Sequence, residues 1–268
     1  TKDYNAALSA INRIDKPARR ILEAKQMVLF QLGTQQFVNG NLNEAIEYFN
    51  NSINLGNYNK EARTNALFWR GESRYRISNF SAAAADFQAF TQEASPSNEN
   101  YALALYNLGY ARFKQNQYAA ARTAFQNYVN AQTNKDATEY ADAHNRIGDT
   151  YYFSRNFADA ERYYSSASTL NPASADYAAY QRAFVMGLQR NYQGKISALE
   201  DLMRSYPNSH YYDDALYEKS RALVMLNRDN EAVPVLNKLV SDFPQSPLAR
   251  QGGVQLGQLH YNANRYPE

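Results

Sequence analysis

The chain has no cysteine among its 268 residues. Disulfide staples and thiolate metal sites are therefore excluded. Histidine is almost as scarce. His144, His210 and His260 lie 66 and 50 residues apart, in no metal-ligand spacing. No run approaches the roughly 18 uninterrupted apolar residues of a membrane span, so none is expected. A surplus of one charge is missing too: 28 Lys and Arg stand against 26 Asp and Glu, a net +2. Phosphate backbones need a concentrated basic face, so nucleic acid is not an expected partner. No block of like charges forms an interaction tail. The opening TKDYNAALSA does not read as a signal peptide, and a mature chain would normally have lost one. No Gly-rich phosphate loop, nucleophile elbow or Ser/His/Asp constellation occurs. The chain is accordingly read as no enzyme, with no catalytic residue, no cofactor and no metal.

Aromatic residues are abundant, with 23 Tyr and 13 Phe beside a single Trp. They recur in order. Three segments align without a gap, LFWRGESRYRISNFSAAAADFQAF from Leu67, LYNLGYARFKQNQYAAARTAFQNY from Leu105 and HNRIGDTYYFSRNFADAERYYSSA from His144. Gly71 is followed by Phe80, Ala83 and Phe87, Gly109 by Tyr118, Ala121 and Phe125, and Gly148 by Phe157, Ala160 and Tyr164. The frame extends to Gly33 with Leu42, Ala45 and Phe49, to Gly187 with Ile196, Leu199 and Met203, and to Ser220 with Ala232 and Leu236. It ends at Gly257 with Tyr266. The steps between these positions are 38, 38, 39, 39, 33 and 37 residues, and six of the 11 glycines occupy this one place.

Glycine inside a helix costs about 1 kcal/mol relative to Ala, so its recurrence needs a compensating gain. Two helices that cross closely supply one. A residue without a side chain lets the backbones approach, the Ala twelve residues on faces it, and an aromatic fills the volume beside them. Neither helix can bury its apolar face alone, so stacked hairpins provide the core. Polar turns at Asn39–Asn41, Ile77–Asn79 and Ser154–Asn156 close the first helices, and Pro172, Pro207 and Pro244 fall at repeat ends.

This pattern resembles the tetratricopeptide repeat family over essentially the whole chain. The resemblance implies an all-α superhelix, a solenoid of about six complete hairpins with a half at each end. The expected organisation is one array over 1–268. Residues 1–16 would be the second helix of a preceding repeat, the repeats would centre on Gly33, Gly71, Gly109, Gly148, Gly187 and Ser220, and 246–268 would be a truncated final repeat. Because both ends read as cut in mid-repeat, a piece of a longer protein is expected, with contact to further repeats of the same chain. The pattern departs from the family in two respects. Arg74, Arg112 and Arg190 stand where the family usually has an aromatic, and the steps exceed 34. The surplus of about one helical turn predicts lengthened helices, and the short step after Gly187 predicts a local change in the superhelix.

The isolated polar groups have structural readings. His144 takes the place of Leu67 and Leu105 and is expected to pack. Asp213 and Asp214 follow Pro207-Asn208-Ser209 at a helix start, where the macrodipole favours negative charge. Asp142, Asn145 and Asp149 share one helical face, but the carboxylates are about 10 Å apart along the axis and read as a polar patch.

The resemblance places a binding groove on the first helices, three residues before and one, four and five after the signature glycine. The groove residues it implies are Phe68, Tyr75, Arg76, Tyr106, Tyr110, Lys114, Asn145, Asp149 and Tyr152, continued by Phe184, Leu188 and Tyr192, then Tyr217, Arg221 and Met225. Aromatics of this kind anchor a protein or peptide partner. Thr34, Glu72, Tyr110, Asp149 and Leu188 follow the glycines, without the Lys/Asn set by which chaperone-binding members clamp a C-terminal carboxylate. The expected function is a non-catalytic scaffold holding a protein or peptide, with a glycan-binding or passive spacer module of a bacterial envelope protein as the alternative. The segments Leu202–Tyr217 and Leu239–Gly252 resemble repeat junctions of bacterial outer-membrane assembly and Tol-Pal-associated members. They imply a periplasmic or outer-membrane-associated location, with the cytoplasm left open.

Overall fold

A computed structural model describes residues 3–263. Tyr266, placed in the last repeat by the sequence pattern, lies outside the described residues. Two compact units divide at Thr133 and Asn134. The first contains α1 (Tyr4–Asn12), α2 (Arg19–Val38), α3 (Leu42–Asn54), α4 (Lys60–Arg76), α5 (Phe80–Glu93), α6 (Tyr101–Phe113) and α7 (Tyr118–Ala131). The second contains α8 (Thr138–Phe153), α9 (Phe157–Leu170), α10 (Asp176–Leu188), α11 (Tyr192–Ser205), α12 (Tyr212–Met225), α13 (Asp229–Asp242) and α14 (Pro247–Asn262). No strand occurs among the described residues. Within each unit every helix packs on its predecessor and its successor, and first helices also touch first helices, as α2 does α4 and α10 does α12. Each unit is therefore a layer of first helices on a layer of second helices, the arrangement of a helical-repeat solenoid.

The hairpin turn has a single geometry. Seven residues after the repeat's small residue, the backbone turns left-handed at Gly40, Ser78, Asn116, Arg155, Arg190 and Asn227, with φ between 56° and 82°. The next amide reaches back five residues to close each first helix, as Asn79 N does to the Arg74 carbonyl and Asn191 N to that of Met186. This is the Schellman closure, for which glycine is the cheapest residue, yet only Gly40 uses it here. The residue that follows caps the second helix. Asn79, Asn156 and Asn191 accept from the amides of Ala82, Asp159 and Gly194.

That shared turn corrects the register expected for the fifth repeat. Arg190 falls seven residues after Ala183, not after Gly187, and α11 begins at Tyr192, nine after Ala183. The small residue of this repeat is thus Ala183, and Lys195 and Leu199 take the places of Ala83 and Phe87. The steps become 35 and 37 residues in place of 39 and 33. The anomalously short step, with the distortion expected from it, disappears. A four-residue slip preserves helical facing, which is why Leu199 fitted either frame.

The glycine contact also differs from expectation. A Cβ on Gly33, Gly71, Gly109 or Gly148 would sit 2.5, 2.9, 2.6 or 2.7 Å from the ring sixteen residues on, that of Phe49, Phe87, Phe125 or Tyr164. The ring, rather than the Ala at twelve, occupies the glycine's space. Ala45, Ala83, Ala121 and Ala160 are wholly buried beside it. Nor do the extra residues only lengthen helices. α2 and α4 run to 20 and 17 residues, but α5, α6 and α7 have ordinary lengths of 14, 13 and 14. There the surplus lies in the connections 94–100 and 132–137.

Polar stitches join helices both between repeats and within one. Wholly buried Gln26 donates to the carbonyls of Ser52 and Gly56, at 2.7 Å each, and accepts from the Asn59 amide at 2.6 Å. Buried Asp86 takes a bidentate bond from Arg70, with contacts of 2.6 and 3.0 Å, and a third at 2.8 Å from Arg74. Arg74 replaces the usual aromatic because this carboxylate waits for it.

Candidate functional site

The first-helix faces of the two units differ in charge. α2, α4 and α6 carry nine Lys and Arg against three Asp and Glu, whereas α8, α10 and α12 carry four against seven. The near-neutral total conceals this difference.

On the first unit Phe68 is 2% exposed, its ring wedged against Trp69, Phe87 and Phe90. Phe68 therefore belongs to the core, a correction to its place in the groove: three residues before the glycine, the side chain points between the helices. Tyr75 is half-buried against Phe80, and burial followed by the Glu72 charge pushes its hydroxyl up. Arg76 lies 4.4 Å above the Phe37 ring and pairs with Glu72 at 3.0 Å. The second Glu72 oxygen accepts from Asn107 at 3.3 Å, linking α4 to α6. Tyr106 and Tyr110 meet edge to face at 5.0 Å, and both back onto Phe125. Lys114 is exposed at the end of α6.

On the second unit Asp149 is 4% exposed and is also withdrawn from the surface. It accepts from the hydroxyls of Tyr164 and Tyr177, each at 2.7 Å, and pairs with Arg146 at 2.5 Å. Arg146 also reaches Asp142 at 3.4 Å and stacks 5.0 Å over Tyr177. The expected polar patch is thus an internal clasp joining α8, α9 and α10. Burial pushes the Asp149 carboxyl up, against the pull of Arg146 and of the two tyrosine donors. Burial and then the Asp149 charge raise both hydroxyls. Half-buried Asn145 stands beside this clasp with its Oδ1 buried and unbonded. His144 packs as expected, its Nδ1 2.9 Å from the Tyr140 carbonyl oxygen and its ring on Tyr140 and Tyr163. Asp213 and Asp214 lie in the first turn of α12.

The open surface is at the other end of these helices. Tyr152 packs on Phe153, Phe157 and Phe184. With Arg155 and Leu188, Tyr152, Phe153 and Phe157 border a depression of about 480 Å³. Beyond Leu188 a second cleft of about 390 Å³ is lined by Phe184, Tyr192, Lys195, Glu218, Arg221 and Met225, among others. Lys195 and Glu218, buried at 6% exposure each, form an ion pair under its floor, and Arg221 adds a 2.9 Å bond to Glu218. Lys195 occupies the wholly buried Ala place of other repeats, a substitution hidden until the register was known. Phe153, Leu188 and Met225 all stand five residues after their repeat's small residue, and they are 50%, 44% and 59% exposed. Among the described residues no group of three His, Cys, Asp or Glu could hold a metal ion, and no helix is long and apolar enough to cross a membrane.

Tetratricopeptide-repeat family models match residues 70–137, 141–174, 177–209 and 214–246. The chain belongs to the tetratricopeptide repeat family. Members of this family are generally non-catalytic scaffolds for protein–protein interaction. No curated protein sequence matches significantly. Solved structures match by fold. The apo form of RapI has a TM-score of 0.71 at 11% identity, over 98% of this chain and 84% of that one. PilF of Pseudomonas aeruginosa has a TM-score of 0.57 at 15% identity, over 95% and 100%. YrrB, described as a TPR protein with an unusual peptide-binding site, has a TM-score of 0.57 at 16% identity, over 70% and 90%. At these identities the likeness shows the fold alone. A bacterial-envelope subtype draws no support from these likenesses.

Proposed function

We propose that this tetratricopeptide chain holds a protein partner by binding a segment of it on the first-helix faces, with no chemistry of its own. One observation carries this reading: three consecutive first helices expose a large apolar side chain at the same repeat position, Phe153, Leu188 and Met225. Apolar side chains repeated in register beside clefts suit an elongated occupant whose side chains enter one after another. Tyr152 and Phe184 give the clefts rigid walls that lose little entropy on binding. On the first unit the same face offers Tyr75, Arg76, Tyr110 and Lys114.

A photo-crosslinking residue at Leu188 tests the reading, with Val240 on α13 as the control, since Val240 is 36% exposed on a second helix. A discrete adduct in native cells from position 188, absent from 240, supports it. Equal adducts from both positions, or none from 188, would sink it. A periplasmic or outer-membrane-associated location, carried by Leu202–Tyr217 and Leu239–Gly252, belongs to the same proposal. Fractionation of the native protein with the cytosol would remove that part alone.

A further inference from the structure

Beside the apolar cleft of the second unit lies a surface with too many carboxylates. Tyr180 and Tyr211 stack at 5.1 Å and 13°, bridging α10 and the start of α12, and Tyr177 meets Tyr211 at 6.0 Å. The charges of Asp214, Glu218 and Asp213 bear on Tyr180, and those of Asp176, Asp214 and Asp149 on Tyr211, where Arg146 opposes them. Of these acids, Asp149 and Glu218 have cation partners. Asp176 accepts from the Ser209 hydroxyl and the Tyr177 amide, and Asp213 from the Ser246 hydroxyl. Among the described residues, half-buried Asp214 pairs with no cation. Burial and then its neighbours Asp213 and Glu218 push its carboxyl up.

A half-desolvated carboxylate beside an aromatic stack is complementary to a cationic side chain. Such a cation gains from the ring faces as well as from the charge. This surface and the apolar cleft adjoin: the Phe184 ring lines the cleft and lies 6.3 Å from that of Tyr180, and Glu218 borders both. Gln255 also lines the cleft, and its buried Oε1 has no hydrogen-bond partner among the described residues. Phe184 and Leu188 lie about 6 and 12 Å from Tyr180 along α10, distances an extended segment covers in two to four residues at roughly 3.3 Å each.

We infer that the occupant of this face is an extended peptide segment with a Lys or Arg on Tyr180, Tyr211 and Asp214, and a bulky apolar residue, two to four positions away, in the Phe184–Met225 cleft. This rests on the first-helix face being the binding surface and adds the chemistry of what it takes. An acidic segment would meet uncompensated carboxylates and is selected against.

The test is selection from a random-peptide phage library on the immobilised chain, followed by titration of the synthetic consensus peptide. Selected peptides are expected to carry Lys or Arg near Leu, Met, Phe or Tyr. The consensus should bind about fivefold more weakly to Asp214→Lys, and almost unchanged to Asp201→Lys, a same-charge control on exposed α11. Circular dichroism verifies folding, and Asp214→Asn serves as a milder variant with a smaller loss in the same direction. Selection of peptides without a basic preference, or equal loss from Asp214→Lys and Asp201→Lys, overturns this inference and leaves the face intact. Failure to select any peptide, or binding unmoved by Leu188→Asp, overturns both.

Discussion

Alanine for glycine at two helical positions, Gly109 and Gly253, should change stability in opposite directions. Both sit inside helices, α6 and α14, so the substitution gains about 1 kcal/mol of helix propensity at each. The surroundings differ. A Cβ on Gly109 would lie 2.6 Å from both Cδ1 and Cε1 of Phe125 and 2.8 Å from its Cζ, while a Cβ on Gly253 meets nothing within 4 Å. Ordinary carbon contacts are about 3.5–4.0 Å, so the Phe125 ring must withdraw by nearly 1 Å. It has nowhere to go, being wholly buried and braced by Tyr106 and Tyr110. Overpacking of this kind costs about 1–3 kcal/mol, which outweighs the propensity gain except at its lower limit. Gly109→Ala is therefore expected to destabilise by up to about 2 kcal/mol, and Gly253→Ala to stabilise by up to about 1 kcal/mol. Urea unfolding followed by circular dichroism reads both. Because repeats unfold with their neighbours, amide exchange in α6 and α7 localises the effect of the first. Adding Phe125→Leu to Gly109→Ala should cost less than Phe125→Leu adds to the wild type. A Gly109→Ala protein as stable as wild type would refute the close-approach reading, as would a matching loss at Gly253.

Two further outcomes follow from buried charge. Asp86→Asn leaves Arg70 and Arg74, 13% and 21% exposed, without their shared carboxylate; a loss of about 3 kcal/mol is expected in the free energy of urea unfolding, near the low end for a broken buried pair. Burial lowers the His144 pKa from 6.5, so the folded chain binds fewer protons there than the unfolded chain, and its stabilising contribution is lost as pH falls below about 6.5. Between pH 7.5 and 5.5 the wild type should therefore lose more melting temperature than His144→Phe, and equal slopes would remove His144 as the cause.

The sequence by itself determined the hairpin. The spacing of Gly71, Phe80, Ala83 and Phe87, recurring at Gly109 and Gly148, is a record of one helix crossing another, because only that crossing repeatedly demands a missing side chain; that the ring, not the Ala, fills the space was decided by the tertiary structure. The sequence also placed Tyr152, Leu188 and Met225 on the first-helix face, since facing follows from helical period alone. Register and burial were decided by the tertiary structure. Gly187 and Ala183 lie one turn apart on the same face and fit the periodicity equally, and only the left-handed turn at Arg190 separates them. Phe68 and Asp149 share the spacing of surface residues, yet the rings of Phe87 and Phe90 enclose the first, while Tyr164, Tyr177 and Arg146 enclose the second. Apart from Arg146, these neighbours lie fifteen to twenty-eight residues away. The unpaired Asp214 beside Tyr180 and Tyr211 was equally hidden, because an absent counter-charge is a property of the space around a residue, and a linear pattern records only what stands next to it along the chain.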